Sequence, residues 1–257
     1  MAEDPRARVA PYYDLNPNTP NDIPFYASRV PSADASILEL GCGTGRVLVA
    51  LAPRCRFSLG IDSSEAMLKR CRAKLETAGI PSNRASVELG DVTNFDLDHT
   101  FDLIIAPYVF QSLETDAEID GLLACVRRHL TTTGTCVLHV SRPDRDPDAL
   151  RREWSARRER LLWEAHSGSA LVTCHWRTAW MDPTSLVSSP QLIYRCYENG
   201  VMTDRAVLNT IMRCYYPEEF QKVILDRGLK ILRLWGGFGG EQYGQGPELV
   251  IECAEGT

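Results

Sequence analysis

Several signals that would place this chain in other protein classes are absent. No apolar run approaches the roughly 18 residues of a membrane-spanning helix, and the first residues, MAEDPRARVAPYYDLN, contain no apolar signal-peptide stretch. The nine cysteines include no C-x-x-C pair, and the five histidines form no H-E-x-x-H motif. We therefore expect a cytoplasmic protein with reduced thiols, no membrane partner and no structural zinc.

An excess of basic charge is also missing. Lys and Arg number 28 against 34 Asp and Glu, which gives a formal net charge of −6. This balance disfavours a nucleic-acid partner, because sequence-independent binders of nucleic acid are usually basic. A hydrophobic fraction of 44% is ordinary for a globular protein, and 257 residues suffice for one domain with an insertion.

Strand and helix patterns alternate along the first half and return near the end. The sequence predicts seven strands, at Ile37–Leu40, Phe57–Ile61, Ser86–Leu89, Phe101–Ala106, Thr135–Val140, Lys230–Trp235 and Glu248–Cys253. Amphipathic helical patterns separate them. We therefore predict an α/β fold with a doubly wound, seven-stranded, mostly parallel sheet that helices cover on both faces.

The pattern changes between about residues 146 and 216. The sequence predicts a charged helix over Pro147–His166 and then three strands, Ala170–Met181, Pro190–Glu198 and Arg205–Tyr216, with a turn at Asn199-Gly200. The predicted organisation is a core of residues 30–145 and 217–257, an N-terminal cap of residues 1–29, and an inserted helix with an antiparallel β lid at 146–216.

The segment ILELGCGTGR, residues 37–46, is the most informative motif. A buried strand runs into three alternate glycines and then a helix, which presents bare N–H groups at a positive helix end to a nucleotide-like ligand. Glu39 lies inside the apolar strand, where an unpaired charge is expensive, so we expect it to have a specific partner. The spacing is G-x-G-x-G, whereas the dinucleotide fingerprint is G-x-G-x-x-G. A tight turn that binds nothing remains an alternative.

Two acidic residues follow later strands. Asp62, after the second strand, is placed to accept hydrogen bonds from both hydroxyls of a ribose. Its alternative role is a helix N-cap, since Glu65 sits three residues later. Asp91, after the third strand, is placed to accept from an adenine amino group beside an apolar wall made by Val92. Its alternative role is that of a simple turn residue.

At this point a family resemblance is specific. ILELGCGTGR, GIDSSEAML, LGDV, FDLIIAPYVFQSL and RRHLTTTGTCVLHV resemble, in order, motifs I to V of the class I S-adenosylmethionine-dependent methyltransferases. The resemblance covers Tyr12 to about Arg142 well and the last two strands more loosely. It implies S-adenosylmethionine as cofactor and S-adenosylhomocysteine as product. The cofactor-binding residues that it implies are Tyr13, Glu39, Gly41, Cys42, Gly43, Gly45, Arg46, Asp62, Ser63, Met67, Gly90, Asp91, Val92, Ala106 and Pro107.

Departures from related patterns narrow the implied substrate. Ala106-Pro107-Tyr108 stands where adenine and glutamine N-methyltransferases of this fold carry Asn/Asp-Pro-Pro-Tyr/Phe, so nucleobase and glutamine methylation are disfavoured. No carboxylate lies between Pro107 and Ser112, where metal-dependent O-methyltransferases hold a divalent ion, so we expect no metal. The insertion resembles the lid that small-molecule members build over the acceptor pocket.

The residues of the acceptor site are harder to identify. His139, at the end of the fifth strand, is a candidate base or orienting group, with a hydrogen-bonded structural histidine as the alternative; Tyr108 and Gln111 are further catalytic candidates. The candidate substrate-binding residues are Tyr12, Phe110, Arg142, Trp180, Arg213, Tyr215, Phe238 and Tyr243. The arginines of residues 151–160 alternate with glutamates, which favours a solvated helix face over an anion site.

The sequence thus predicts metal-independent methyl transfer from S-adenosylmethionine to an N or O atom of a small molecule, by a monomer or homodimer. Transfer needs alignment of donor and acceptor more than a catalytic triad. Three alternatives stay open: a non-catalytic subunit that binds the cofactor or a partner, an RNA or protein methyltransferase, and a nicotinamide-dependent oxidoreductase, which the glycine spacing disfavours.

Overall fold

A computed structural model of the chain describes residues 4–182 and 184–256. The α-helices are α1 (Ala10–Tyr13), α2 (Ile23–Ala27), α3 (Arg46–Leu51), α4 (Glu65–Thr77), α5 (Asp116–His129), α6 (Pro147–Ser155) and α7 (Pro217–Leu225). The strands are β1 (Ser36–Leu40), β2 (Phe57–Asp62), β3 (Ala85–Leu89), β4 (Phe101–Pro107), β5 (Leu130–Ser141), β6 (Arg160–Ser167), β7 (Ala170–Asp182), β8 (Val187–Glu198), β9 (Val201–Asn209), β10 (Met212–Arg213), β11 (Leu229–Trp235) and β12 (Glu248–Glu255).

These elements form two compact units. The core unit consists of residues 21–144 and 214–256, and the inserted unit consists of residues 4–20 and 145–213. Residues 21–29, which the sequence assigned to an N-terminal cap, therefore lie in the core unit. The N-terminal segment up to residue 20 belongs instead with the insertion.

The core unit contains the predicted seven-stranded sheet. Its strand order is β11-β12-β5-β4-β1-β2-β3. Strands β1 to β5 pair in parallel, and β12 runs antiparallel to both β5 and β11. The α/β, mostly parallel, doubly wound fold class is confirmed.

Helices cover both faces of this sheet because its buried strands carry apolar side chains on both sides. Leu38 and Leu40 join a cluster that includes residues of α5 and α7. Ile37, directly before Leu38 in the sequence, joins a second cluster with residues of α2 and α3. Residues on the two faces of β1 thus pack against different helix layers. This packing fixes the register of the strand and the place where it ends.

The inserted unit contains an antiparallel sheet. Strands β6, β7 and β8 are consecutive neighbours, and both β9 and β10 pair with β8. Asn199 and Gly200 both have positive φ angles, of 50° and 79°, and connect β8 to β9 as a two-residue hairpin. The predicted turn is confirmed, as is the antiparallel character of the insertion.

Two predicted boundaries in the insertion are wrong. The helix predicted over Pro147–His166 ends at Ser155, and Arg160–Ser167 forms strand β6. Arg157, with a φ of 47°, interrupts the helical path, and β6 pairs with β7. The strand predicted over Arg205–Tyr216 is divided between β9 and the short β10.

Of the helices within the described residues, none has the length and apolar character needed to cross a membrane. All nine cysteines are free thiols, and eight of them are buried.

Candidate functional site

The predicted cofactor-binding residues of the core unit follow strands that end at one edge of the sheet. Because β1, β2, β3 and β4 are parallel, their carboxyl ends meet there. The glycine turn follows β1, Asp62 ends β2, Gly90 follows β3, and Pro107 ends β4. The fold thus brings together at this edge four segments that are separated in the sequence.

A hydrogen bond to Asp62 holds the glycine turn on one side, and no atom of the described residues covers Gly43 on the other side. Gly43 has a φ of 54°, and a Cβ atom built on it would meet nothing within 4 Å. Its N–H donates to Oδ2 of Asp62 at 2.8 Å. A ligand can therefore approach the main chain closely at Gly43 while the Asp62 carboxylate stands beside it.

Asp62 is not the N-cap of α4. Ser64 is, since its side chain accepts a hydrogen bond from the N–H of Met67 at 3.2 Å. The Oδ1 atom of Asp62 accepts from the N–H of Ser64 at 2.9 Å, and the residue is 8% exposed. Two backbone N–H groups thus orient the carboxylate, each oxygen keeps acceptor capacity, and the ribose role predicted for Asp62 stays open to it.

Glu39 is buried in β1, directly before the glycine turn. Its Oε2 atom has no hydrogen-bond partner among the described residues. Burial raises the pKa of the Glu39 carboxyl well above its usual value, although the Arg46 charge and a hydrogen bond from the Leu48 backbone oppose the shift. Glu39 therefore sits behind the turn, and its predicted contact with the cofactor stays a prediction.

We expect a Glu39→Gln substitution to stabilise the fold in a pH-dependent way. A carboxyl group whose pKa is raised by folding keeps its proton up to a higher pH in the folded state than in the unfolded state. The free energy of unfolding therefore falls as the pH rises above the pKa of the unfolded state, about 4.3. The slope reaches at most about 1.4 kcal/mol per pH unit for one group. Urea unfolding of both proteins between about pH 4.5 and 7.5 measures the difference, which should widen with pH.

The matched control for this prediction is Glu88→Gln, which neutralises an exposed glutamate on β3. Its effect on the free energy of unfolding should change little over the same pH range. A constant difference between the wild type and the Glu39→Gln protein at every pH would contradict the raised pKa.

The other predicted cofactor residues differ in exposure. Gly90 is half-buried, Asp91 is exposed, and Oδ1 of Asp91 accepts from the N–H and the hydroxyl of Thr93, both at 2.8 Å. Val92 is partly buried against the main apolar cluster. The exposed Ser63 and the buried Met67 lie on either side of the start of α4, while Cys42 and Ala106 are buried.

Four polar side chains form a network beside this edge. His139, fully buried in β5, has Nδ1 3.3 Å from the Tyr26 hydroxyl and Nε2 2.9 Å from Oε2 of Glu248. The Tyr108 hydroxyl donates to Oε1 of the same Glu248 at 3.2 Å. Glu248 at the start of β12 thus joins the predicted catalytic residues Tyr108 and His139.

One proton arrangement satisfies every donor in this network. Burial, followed in size by the Glu248 charge, raises the pKa of Tyr108, and burial raises that of Tyr26, so both phenols stay protonated. The Tyr26 hydroxyl then donates to Nδ1 of His139, and Nε2–H of His139 donates to Oε2 of Glu248. Both ring nitrogens are engaged, so the geometry favours a positioning role for His139 over that of a base.

The backbone at Tyr108 is strained, with a φ of 60°. A bulky residue in this region costs about 1–2 kcal/mol, and such outliers cluster at functional sites. The next residue, Val109, lies against the glycine turn, since a Cβ atom on Gly41 would stand 2.3 Å from Cγ2 of Val109. The two consecutive residues therefore connect the glycine turn, which Val109 contacts, with Glu248, to which Tyr108 donates a hydrogen bond.

Sequence reasoning missed three members of the site, Asp22, Tyr26 and Glu248. Asp22, fully buried, pairs with the Arg46 guanidinium, whose Nη2 lies 2.8 Å from Oδ2. No local pattern marks Asp22 or Tyr26. Glu248 did carry a signal in the sequence, because it is an acidic residue at the start of an apolar strand. Glu39, inside another apolar strand, carried a signal of the same kind.

The remaining core-unit candidates mostly serve as structural links. The Oε1 atom of Gln111 accepts from the N–H of Ser141 at 2.9 Å, and the Arg142 side chain donates to the Gly246 carbonyl. The Tyr243 hydroxyl donates to the carbonyl of Pro217 at 3.0 Å. Gln111 thus ties the segment after β4 to β5, and Arg142 ties β5 to the glycine-rich loop.

Three aromatic candidates differ in burial. Phe110 and Tyr215 are fully buried, with ring centroids 5.5 Å apart, which favours a packing role. Phe238 is partly exposed, and its ring lies 4.9 Å from that of His139. Of the three, Phe238 remains the best candidate for contact with an acceptor.

Four candidates lie in the inserted unit, namely Tyr12, Tyr13, Trp180 and Arg213. The Tyr12 hydroxyl donates to Oδ2 of Asp204 at 2.6 Å, and burial together with this bond raises the pKa of Tyr12 to about 12. Tyr13 and Trp180 are 45% and 46% exposed, and Arg213 is half-buried in β10. Their roles towards cofactor and substrate stay predictions.

Similar known proteins indicate which family this chain resembles. Residues 37–134 match the family model described as a methyltransferase domain. A carboxy-S-adenosyl-L-methionine synthase from Wolinella succinogenes is 32% identical over 113 residues, which are 42% of this chain and 45% of that protein. A dTDP-3-amino-3,4,6-trideoxy-alpha-D-glucopyranose N,N-dimethyltransferase from Streptomyces venezuelae is 30% identical over 43% of this chain and 44% of that protein. The chain spans about half the length of the curated relatives it matches.

The structural comparison extends over nearly the whole chain. The CcbJ methyltransferase from Streptomyces caelestis superposes with a TM-score of 0.77 at 21% identity, covering 99% of this chain and 98% of that one. At that identity the likeness shows the fold. Together with the matching domain, it supports the resemblance of motifs I to V. Residues 37–134 therefore match a methyltransferase domain, and the chain has the fold of solved S-adenosylmethionine-dependent methyltransferases.

Proposed function

We propose that this protein transfers a methyl group from S-adenosylmethionine to an amine nitrogen of a small molecule, without a metal ion. The observation that carries the proposal is the glycine turn at residues 41–45, open at Gly43 and flanked by the Asp62 carboxylate. An amine as acceptor follows from the Glu248 network next to that turn.

The residues at the turn fit the cofactor. Gly43 leaves its outer side free for a ligand, and Asp62 offers two oriented oxygens to a ribose. Asp91 and Val92, after the neighbouring strand, supply a carboxylate and an apolar wall for an adenine. When bound, S-adenosylmethionine supplies a methyl group that its sulfonium already activates.

The Glu248 network supplies the part of the site that an amine needs. Its carboxylate side chain is 14% exposed and receives hydrogen bonds from Tyr108 and His139. A buried carboxylate attracts a cationic amine and can accept the proton that the amine must lose before it attacks. Tyr108 and His139 hold Glu248 in place, and Tyr26 fixes the His139 tautomer.

The name of one relative agrees with an amine acceptor. The Streptomyces venezuelae protein is named as an N,N-dimethyltransferase of an amino sugar nucleotide. A small amino compound, such as an amino sugar, is therefore the acceptor class that we propose.

A second candidate comes from the Wolinella succinogenes relative. Its name describes the synthesis of carboxy-S-adenosyl-L-methionine, in which S-adenosylmethionine is modified rather than used as a methyl donor. Mass spectrometry of the cofactor after incubation with an amine acceptor and, separately, with a carboxylic acid able to donate a carboxyl group separates the two reactions. Formation of S-adenosylhomocysteine supports methyl transfer, and a carboxylated S-adenosylmethionine supports the alternative.

The direct test is transfer of isotope-labelled methyl from S-adenosylmethionine to a panel of amino sugars and other small amines. A Glu248→Gln enzyme should lose about 100-fold or more in kcat/KM, within the range for general acid–base groups, with unchanged affinity for S-adenosylhomocysteine. Glu255→Gln, on the exposed end of the same strand, is the control and should retain activity. We expect EDTA treatment to leave turnover unchanged.

Two results would count against the proposal. Turnover restricted to hydroxyl or macromolecular acceptors would overturn the amine assignment. Calorimetry that detects no binding of S-adenosylmethionine at millimolar concentration would overturn the function as a whole.

A further inference from the structure

A charged cavity lies within the inserted unit. It measures about 600 Å³ and lies among α6, the start of β6 and the middle of β7. Its walls carry four arginines, Arg145, Arg152, Arg158 and Arg160, against two glutamates, Glu153 and Glu159. This excess of two positive charges stands out in a chain whose formal net charge is −6.

Both glutamates are already neutralised by basic neighbours. Glu153 lies between Arg145, which it contacts directly, and Arg160, whose Nη1 is 2.7 Å from Oε1. Glu159 pairs with Arg195 at 2.7 Å and with His175 at 3.2 Å. The alternation of charges in the sequence favoured a solvated helix face, but these glutamates do not neutralise the arginines next to them in the chain.

Arg152 and Arg158 are the two arginines left over. Both are exposed, and neither forms a salt bridge within the part of the chain that the structure describes. Both residues line the cavity. A hydrogen bond from the Ala149 backbone and, to a smaller extent, the Arg152 charge lower the pKa of the exposed Asp146 carboxyl, but Arg152 forms no salt bridge with it. Arginine suits phosphate, because its planar donors match two phosphate oxygens at once.

Trp176 gives the cavity a flat apolar wall. It is half-buried in β7, and the Arg160 guanidinium lies 5.8 Å from its ring centroid. An aromatic wall beside unpaired cations suits a ligand that has a planar ring and an anionic group. The volume is in the range of small-molecule sites, about 300–1,000 Å³.

We propose that this cavity binds a small organic phosphate. Arg152 and Arg158 hold the dianionic phosphate group, and a planar ring of the ligand stacks against Trp176. The proposal does not rest on the proposed methyl transfer, because none of its residues belongs to the glycine turn or to the Glu248 network.

Calorimetry on the full chain tests the proposal, with AMP as the probe and adenosine and inorganic phosphate as its two halves. Saturating S-adenosylhomocysteine is present so that AMP cannot occupy the glycine turn. We expect AMP to bind, adenosine to bind at least about tenfold more weakly, and added salt to weaken the binding of AMP.

Variants locate the binding. Arg152→Gln with Arg158→Gln should raise the Kd of AMP about tenfold or more, since two charge-assisted contacts are lost. Arg127→Gln with Arg128→Gln removes the same charge from α5 and should leave the Kd unchanged. Trp176→Phe should keep affinity for AMP, and Trp176→Leu should weaken AMP but not inorganic phosphate.

The proposal is overturned by three results. These are no binding of AMP at about 5 mM, equal affinity for adenosine and AMP, or binding that survives in the Arg152/Arg158 double variant. The double variant changes only exposed side chains, so its thermal unfolding should match that of the wild type and confirm that a loss of binding is local.

Discussion

An Asp62→Asn enzyme is expected to bind S-adenosylhomocysteine about 100-fold more weakly than the wild type. Hydrogen bonds to charged groups contribute about 1.5–3 kcal/mol each, and the amide cannot accept from two ribose hydroxyls while it also accepts from Gly43 and Ser64. Because each 1.4 kcal/mol is about tenfold in affinity, losing the two predicted ribose bonds, about 3–6 kcal/mol together, gives at least that factor. Isothermal calorimetry measures it.

The control must disturb the same region without changing the predicted contact of Asp62 with the ribose. Ser64→Ala does so, because it removes the N-cap of α4 and costs about 1 kcal/mol of stability. Its affinity for S-adenosylhomocysteine should stay within about threefold of the wild type. If Ser64→Ala and Asp62→Asn weaken binding equally, Asp62 acts through the structure of the loop rather than by contact with the ligand.

Alanine at Gly45 and at Gly43 is expected to separate folding from binding. At Gly45, with a φ of 82°, the new Cβ atom would lie 2.3 Å from Sγ of Cys71, so left-handed strain and overpacking together cost about 2–5 kcal/mol. At Gly43 nothing obstructs the Cβ atom, so only the strain of about 1–2 kcal/mol remains. The methyl group there occupies the open side of the turn and should weaken binding of S-adenosylhomocysteine at least tenfold.

Urea unfolding and calorimetry on the two proteins measure both quantities. Adding Cys71→Ala to Gly45→Ala should recover the overpacking part of the lost stability, because the obstructing sulfur is gone. The interpretation fails if Gly43→Ala is the less stable of the two proteins, or if it binds S-adenosylhomocysteine as tightly as the wild type.

The meeting of the glycine turn and Asp62 at one edge of the sheet was predictable from the sequence because its signals are local. Three glycines and the acidic residue that ends the next strand lie close in the chain, and parallel pairing of β1 with β2 brings them to one edge. The apolar runs of β1 and β4 likewise marked buried strands, since those segments are apolar on both faces.

The Glu248 network, which we propose as the acceptor half of the site, was not predictable because its contacts are distant in sequence. Glu248 meets His139 across the pairing of β12 with β5, which no local pattern encodes. Tyr108 has a left-handed φ, and a tyrosine in the sequence gives no indication of that backbone conformation. The helix predicted over Pro147–His166 failed for a similar reason, since β6 is stabilised by its partner β7.

The inserted unit is assembled from two separate stretches of chain, and this limits how it can be exchanged between proteins. Residues 4–20 contribute the Tyr12 hydroxyl that donates to Asp204 and the ring that stacks on Tyr194 at 5.9 Å. A chimaera that transplants residues 145–213 alone would lose both contacts of Tyr12, and Tyr194 would keep only the Trp163 ring beside it. Recombination that exchanges the insertion must therefore move the amino-terminal stretch together with it.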